Sequence, residues 1–336
     1  MTTAPPARGL SPLVLVAIIV TVLAWASAFI VIRGVGEHFG GGSLALGRLL
    51  VGSVLLSLLL IGHAWVRPNR REWVQIVSYG IAWFGFYNVA LNIAEQTLDA
   101  GTTAMLVNIG PILIALGAGV FLREGIPTWL AIGAAIAFGG VVLIGIGTGG
   151  ASIDGVGIAW ALAAAVAYAT GVLLQKPTLR RLPNRQVTFL GCAIGMLACL
   201  PFIGSLIADL QTAPAASILG VVYLGAVPTA LAFSTWAFAL SRMPAGQLGV
   251  STYLVPPLAI LLGFLVFTEV PVPLAIAGGV LCLVGVAVSR RKSRVVAPRK
   301  SGVVAPAESG VIAPAESGVI APRKSGVIAP RKSLAE

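Results

Sequence analysis

The chain has 336 residues, of which 57% are hydrophobic and 10% are charged, and its mean hydropathy is +0.98. A water-soluble fold of this length could not bury so much apolar surface, so the composition excludes a soluble globular protein. The net charge of +11 does not indicate nucleic-acid binding, because no polar segment carries a recognisable nucleic-acid-binding motif.

Ten apolar segments are long enough to cross a bilayer as helices, since a hydrocarbon layer of about 30 Å needs roughly 20 residues. Their apolar runs do not alternate with polar residues, as the strands of a membrane barrel would. The sequence therefore predicts an all-α integral membrane protein with ten transmembrane helices. The predicted spans are 12–32, 43–62, 73–94, 101–122, 127–147, 156–175, 186–208, 215–240, 246–267 and 272–289.

The basic residues in the connectors predict the orientation of these spans. Lys and Arg in short loops mark the cytoplasmic side. If both termini are cytoplasmic, Arg33 is the one basic residue assigned to an outside connector. The inside set holds Arg8, Arg67, Arg70, Arg71, Arg123, Lys176, Arg180, Arg181, Arg185, Arg242, Arg290, Arg291 and Lys292.

A pattern of residues occurs twice, which predicts a duplicated fold. The first copy is Ala100-Gly101, Pro111, Glu124, Gly133 and Gly140, and the second, 145 residues later, is Ala245-Gly246, Pro256, Glu269, Gly278 and Gly285. Each half contains five predicted helices, an odd number, so the second half is predicted to enter the membrane inverted, as in many transporters. We assign residues 1–150 to the first repeat and 151–292 to the second. Residues 293–336 repeat every eight residues and predict a disordered cytoplasmic tail.

These features resemble the drug/metabolite transporter superfamily, and within it the EamA-type exporters, which include bacterial aromatic amino-acid exporters. The resemblance rests on Trp25 and Arg33 in the first helix, the Ala-Gly start and Pro111 of the fourth, and the spacing from Glu124 to Gly133. It implies a central cavity lined by helices 1, 3, 4, 6, 8 and 9 and export of small molecules, often amino acids, across the inner membrane. Efflux of hydrophobic drugs and transport of nucleotide-sugar-like metabolites remain alternatives.

Polar and aromatic residues inside these helices are the predicted cavity residues. Trp25 and Tyr168 occupy equivalent positions and should face each other, and an aromatic wall suits neutral substrates such as aromatic amino acids or methionine. A stripe of aromatic residues also occurs in helix packing or in a lipid-facing belt, which fits Tyr79 and Trp236 best. The predicted cavity residues are Trp25, Tyr79, Trp83, Tyr87, Asn108, Tyr168, Trp236, Ser251 and Tyr253.

Arg48 is the one formal charge well inside a predicted span. It could bind a substrate carboxylate, or its long side chain could reach the membrane interface. The acidic residues, Glu95 among them, fall outside the centres of the predicted spans. Because proton-driven transporters usually keep a titratable group midway across, this favours facilitated diffusion or exchange.

Two pairs of equivalent residues have predicted structural roles. Pro111 and Pro256 each remove one backbone hydrogen bond and could act as hinges. Glu124 and Glu269 are expected to accept hydrogen bonds from the start of the next helix, with Arg123 beside Glu124 as a partner.

The sequence predicts no enzyme and no cofactor or metal, since it lacks metal-ligand spacing and paired catalytic groups. The predicted partners are a small-molecule substrate and membrane lipid. A GxxxG motif at Gly191 and Gly195 is assigned to packing within the chain, so a monomer is expected over a dimer.

Overall fold

A computed structural model describes residues 11–97, 103, 106–148, 155–267 and 272–291. Secondary structure in these residues is helical, without strands, which confirms the predicted all-α class. The predicted tail 293–336 and Glu269 lie outside the described residues.

The described residues of the first half include five helical segments. The third contains a π-helical stretch, Gly80–Phe86, between two α-helical parts. The segments are α1 (Pro12–Val35), α2 (Gly41–Leu58), α3 (Arg70–Tyr79, Gly80–Phe86 and Tyr87–Thr97), α4 (Gly110–Phe121) and α5 (Thr128–Thr148).

The described residues of the second half include five more, and three of these are composite. They are α6 (Gly155–Thr178), α7 (Asn184–Ala198, Leu200–Phe202 and Ile203–Thr212), α8 (Ala215–Leu224, Gly225–Leu231 and Ala232–Leu240), α9 (Ala245–Ser251, Thr252–Leu254 and Val255–Phe267) and α10 (Pro273–Ser289).

The described helices support a multi-pass membrane protein. Seven of them are long and apolar enough to cross a membrane, and an eighth span results if the two parts of α7, bent by 52°, form one. The two shorter apolar helices, Gly110–Phe121 and Pro273–Ser289, coincide with the predicted fourth and tenth spans. The count of ten transmembrane helices therefore stays a prediction.

Local sequence signals explain where the first helices begin. Ser11 caps α1 by accepting a hydrogen bond from the Val14 N–H, and Pro12 occupies the first turn, where its missing N–H costs nothing. Asn69 and Glu72 form a capping box at the start of α3, each side chain bonding the backbone N–H of the other.

Departures from α-helical geometry occur at equivalent places in the two halves. The π-helical segments Gly80–Phe86 and Gly225–Leu231 lie 145 residues apart, the same offset as the sequence repeat. Helical geometry is also interrupted just before both prolines, by a turn at residues 108–109 before Pro111 and by a 3-10 segment at Thr252–Leu254 before Pro256. Pro111 and Pro256 therefore lie near the starts of helical segments rather than in the middle of continuous helices.

The equivalent helices α5 and α10 pack closely against each other through glycine. A Cβ on Gly133 would lie 2.5 Å from the Gly285 carbonyl oxygen, and one on Gly140 would lie 2.5 Å from that of Gly278. Because residue numbers rise along α5 as those of their neighbours on α10 fall, the two helices are antiparallel. Glycine is needed at this crossing because any side chain would collide with the facing backbone.

Candidate substrate cavity

Aromatic side chains from both halves of the chain meet in one cluster. Trp25 of α1 lies 5.1 Å from Trp236 and 5.5 Å from Phe233 of α8, between ring centroids. Tyr168 of α6 lies 5.3 Å from Trp83 of α3. The predicted meeting of Trp25 and Tyr168 is observed, with their ring centroids 6.5 Å apart. The cluster therefore joins α1, α3, α6 and α8.

A cavity lies beside this cluster. Its volume, counted as the space that the centres of water-sized molecules can occupy, is about 80 Å³. Since one water needs about 10–15 Å³ by this measure, the cavity has room for several waters or a small solute. Its walls are mostly apolar or aromatic, with a few polar groups, as is typical of ligand sites. It is lined by Trp25, Ala28, Phe29, Ile32, Arg48, Trp83, Tyr87, Asn88, Leu91, Val107, Asn108, Tyr168, Phe233, Thr252 and Val255.

Five of the nine predicted cavity residues line this space: Trp25, Trp83, Tyr87, Asn108 and Tyr168. Asn88, Phe233 and Thr252 also line it, although the sequence analysis did not select them as cavity residues. Asn88 and Thr252 are adjacent in sequence to predicted cavity residues, and Phe233 lies one helical turn from Trp236, so these positions could have suggested that they line the cavity.

The other four predicted cavity residues are buried in helix packing. The Tyr79 hydroxyl donates to the Val187 carbonyl, and Trp236 packs in the aromatic cluster, so neither is a lipid-facing belt residue. Tyr253 is buried in a second apolar cluster with α5 and α10, and Ser251 accepts a hydrogen bond of 3.0 Å from Arg290.

Arg48 faces the cavity and is 5% exposed, so its side chain does not extend to the membrane interface. Its Nε donates to the Thr229 hydroxyl at 3.2 Å. No hydrogen bond from its terminal nitrogens joins the described residues, so these donors are available for a ligand in the cavity that Arg48 lines. This geometry suits a carboxylate ligand, which a guanidinium binds with two parallel hydrogen bonds.

The π-helical part of α8 provides the support for Arg48. Pro228 lacks an N–H, so the Leu224 carbonyl four residues earlier has no normal helical donor. The Thr229 hydroxyl donates to that carbonyl at 2.8 Å and accepts from Arg48. The Pro228 carbonyl in turn accepts a hydrogen bond of 3.2 Å from the Trp25 indole. One irregular segment thus positions both Arg48 and Trp25.

Glycines provide the space into which two cavity aromatics fit. A Cβ on Gly110 would lie 2.6 Å from the ring of Tyr168, and one on Gly171 would collide with the side chain of Trp83. Tyr168 lines the cavity, and its hydroxyl is buried without a hydrogen bond of normal geometry to the described residues.

Glu124 contacts different helices from those predicted. Its Oε2 accepts a hydrogen bond of 2.7 Å from the Ala245 N–H at the start of α9, not from the next helix, α5. Its ionic partner is Lys176 at 4.0 Å rather than the adjacent Arg123, whose backbone adopts a φ of 56°. Lys176 also donates to the Met243 carbonyl at 2.6 Å. Glu124, in the turn after α4, therefore contacts both α6 and α9, which belong to the second half of the chain.

Glu95 follows directly after the predicted span 73–94, but α3 continues past it to Thr97. The apolar helix that is long enough to span a membrane runs from Arg70 to Gln96, and the Glu95 Oε1 is buried without a hydrogen-bond partner in the described part of the chain. The predicted span ends where charge begins, whereas the helix ends later. Its spacing of seven residues from Asn88 could have revealed the shared face.

The comparison with known proteins agrees with this architecture. Residues 12–146 and 155–291 each match the EamA-like transporter family. The chain belongs to the EamA-like transporter family. These two matches cover both halves described above, which confirms the resemblance seen in the sequence.

Individual relatives of this EamA-like protein are also transporters. It is 36% identical over 280 residues to a probable terminal-alkyne amino-acid exporter of Streptantibioticus cattleyicolor, covering 82% of this chain and 93% of that protein. It is 32% identical over 267 residues to the uncharacterized transporter YdfC of Bacillus subtilis, covering 78% and 86%. A crystal structure with 20% identity and a TM-score of 0.68, covering 82% of this chain and 96% of the other, shares the fold. The protein is thus a multi-pass membrane transporter.

Proposed function

We propose that this EamA-like protein exports small neutral amino acids, such as aromatic amino acids or methionine, across the bacterial inner membrane. In this proposal ten helices form two inverted five-helix repeats, both termini are cytoplasmic, and the central cavity is exposed to each side in turn.

The observation that carries the proposal is the composition of the cavity wall. Arg48 is the one formal charge among the described residues that line it, and aromatic rings of Trp25, Trp83, Tyr87 and Tyr168 form much of the remainder. A guanidinium provides a partner for a carboxylate, and aromatic rings provide a partner for an apolar side chain. An amino acid has both parts. The similarity to a probable amino-acid exporter supports the same substrate class.

The antiparallel contact of α5 with α10, and the π-helical segments 145 residues apart, support the inverted repeat. Such repeats allow one bundle to move against the other around a shared site. The interruptions before Pro111 and Pro256 are the proposed hinges, because helical hydrogen bonding is already broken there.

Exchange of amino acids in proteoliposomes tests this function. Vesicles that contain the purified protein and unlabelled phenylalanine or methionine should take up the labelled amino acid from outside. Arg48→Gln should lower the rate about tenfold or more, because a charge-assisted hydrogen bond contributes roughly 1.5–3 kcal/mol. Arg71→Gln, which removes an exposed charge at the start of α3, is the matched control and should retain the wild-type rate.

Wild-type vesicles that exchange none of the neutral amino acids would contradict the proposal. Movement of a hydrophobic cationic dye in the same vesicles would instead support drug efflux. Arg48 in the cavity disfavours that alternative, since a guanidinium repels cations. Uptake of nucleotide sugars by the vesicles would support the remaining alternative.

A further inference from the structure

A second cavity among the described residues is open at the surface of the helix bundle. Its lining residues lie within 15–23 of α1, 254–258 of α9 and 283–290 of α10, and its volume, measured as for the substrate cavity, is about 430 Å³. Two of them, Leu15 and Leu283, are 44% and 54% exposed, so the cavity is accessible from outside the protein. We call this cavity the lateral groove.

The walls of the lateral groove are suited to an acyl chain. All of its lining residues except Arg290 are apolar. In a membrane such an open surface is covered by acyl chains, which are as apolar as leucine. The lining residues of α1 extend from Leu15 to Leu23, over about 12 Å of helix, and one leaflet of the hydrocarbon layer is about 15 Å deep. The groove therefore matches most of the length of an acyl chain that lies along the helices.

Arg290 places a positive charge at one end of the lateral groove. It follows Ser289, the last residue of α10, and is the final lining residue on that helix. One of its terminal nitrogens donates to the Ser251 hydroxyl at 3.0 Å, which holds the guanidinium against α9. Arg290 is exposed, and no ion pair among the described residues includes it. Its remaining donors are therefore available to a phosphate group at the membrane interface.

We propose that the lateral groove binds one anionic phospholipid, with an acyl chain along α1 and α10 and the phosphate group on Arg290. The apolar walls do not distinguish phospholipids, because their acyl chains have the same chemistry. Selection therefore depends on the headgroup, and basic sites between transmembrane helices bind anionic headgroups in this way. In the proposed orientation Arg290 and the start of α1 face the cytoplasm, so the lipid belongs to the cytoplasmic leaflet.

Native mass spectrometry of the purified full-length protein in detergent tests this site. The probes are phosphatidylglycerol and phosphatidylcholine with the same palmitoyl and oleoyl chains. The wild type should bind one phosphatidylglycerol with a dissociation constant about tenfold lower than that for phosphatidylcholine, whose choline cation is repelled by the guanidinium. Inorganic phosphate at the same concentration should not displace the lipid, because it does not fill the groove. Displacement by phosphate would overturn the proposal.

Substitutions of Arg290 test the role of its charge. Arg290→Gln should bind the two lipids with similar affinity, whereas Arg290→Lys should retain the preference. Arg291→Gln is the matched control, because it removes the adjacent charge from a side chain that lies over the Trp129 ring, 5.5 Å from its centroid, and does not line the groove. This control should match the wild type. Equal losses of preference in Arg290→Gln and Arg291→Gln would indicate a general attraction to basic residues and would contradict the proposed site.

A substitution that fills the lateral groove tests the place of the acyl chain. Ala287 lines the groove on α10, and Ala287→Trp should bind neither lipid at concentrations that saturate the wild type. Ala277→Trp makes the same change at another exposed position of α10, outside the groove, and should bind both lipids normally. Normal lipid binding by Ala287→Trp would refute the proposal. A wild-type dimer that Ala287→Trp converts to a monomer would also refute it, since a second copy of the chain would then occupy the groove.

Discussion

Trp25 packs against aromatic rings from both halves of the chain. Its ring centroid lies within 6.5 Å of those of Trp83, Tyr168, Phe233 and Trp236. It also lines the cavity and is held in place by its hydrogen bond to the Pro228 carbonyl. A substrate side chain in the cavity would therefore contact a ring whose orientation is fixed.

Removal of this ring should weaken substrate binding. Each aromatic pair contributes about 0.5–1.5 kcal/mol, so Trp25→Ala should raise the KM for phenylalanine exchange by roughly two- to tenfold. Trp65→Ala, which removes an exposed tryptophan from the connector after α2, is the control and should leave the KM unchanged. Protein abundance and the gel-filtration profile in detergent should be the same for both variants. An unchanged KM in Trp25→Ala would remove Trp25 from the binding site.

The sequence predicted some of these residue positions because the repeat carries information about contacts. Equivalent residues on equivalent helices, such as Trp25 and Tyr168, meet near the axis that relates the halves. Arg48 could not be assigned in the same way, because depth along a helix does not tell which face is buried. Glu95 was misplaced since hydropathy locates the apolar stretch, whereas hydrogen bonding continues the helix beyond it.

At the scale of helices, each hydropathy segment overlaps a described helical segment, although the predicted fourth span, 101–122, overlaps only the shorter helix Gly110–Phe121, and the count of ten spans stays a prediction. The π-helical stretches could not be predicted, because an extra residue per turn depends on tertiary packing and side-chain bonds such as that of Thr229 to the Leu224 carbonyl. The sequence predicts hinges at Pro111 and Pro256. In the structure the helix is interrupted before each proline, because proline suits the first turn of a helix.

The crossing of α5 and α10 provides a test at this scale. A Cβ on Gly140 would lie 2.5 Å from the Gly278 carbonyl oxygen and 2.7 Å from the Cys282 nitrogen, whereas one on Gly139 would lie 3.8 Å from its nearest neighbour, Leu281. Gly140→Val should therefore separate the helices at a cost of about 1–3 kcal/mol, while Gly139→Val should be tolerated.

Both substitutions place the same β-branched residue in the same helix, so intrinsic helix propensity cancels between them. Thermal unfolding in detergent, followed by the loss of the monodisperse gel-filtration peak, should show a midpoint lowered by about 5 °C or more for Gly140→Val relative to Gly139→Val. Equal midpoints would show that the two helices do not depend on this close approach.

For the whole molecule, the proposed inversion predicts on which side of the membrane equivalent turns lie. The α4–α5 turn and the residue before α10 occupy matching places in the two halves, and charge asymmetry predicts that the first of these is cytoplasmic. If each half contributes five spans, as proposed, the second of these should then lie outside. A parallel duplication would place both on one side.

Ile126 and Val272 provide a matched pair for this test, since each is 41% exposed. The three cysteines, Cys192, Cys199 and Cys282, are buried and can be replaced by alanine to give a background without thiols. In intact cells a membrane-impermeant maleimide should label Val272→Cys and not Ile126→Cys, and the latter should react once the membrane is opened. Labelling of both positions from the same side would contradict the inverted repeat, and with it the movement of one bundle against the other on which the proposed export depends.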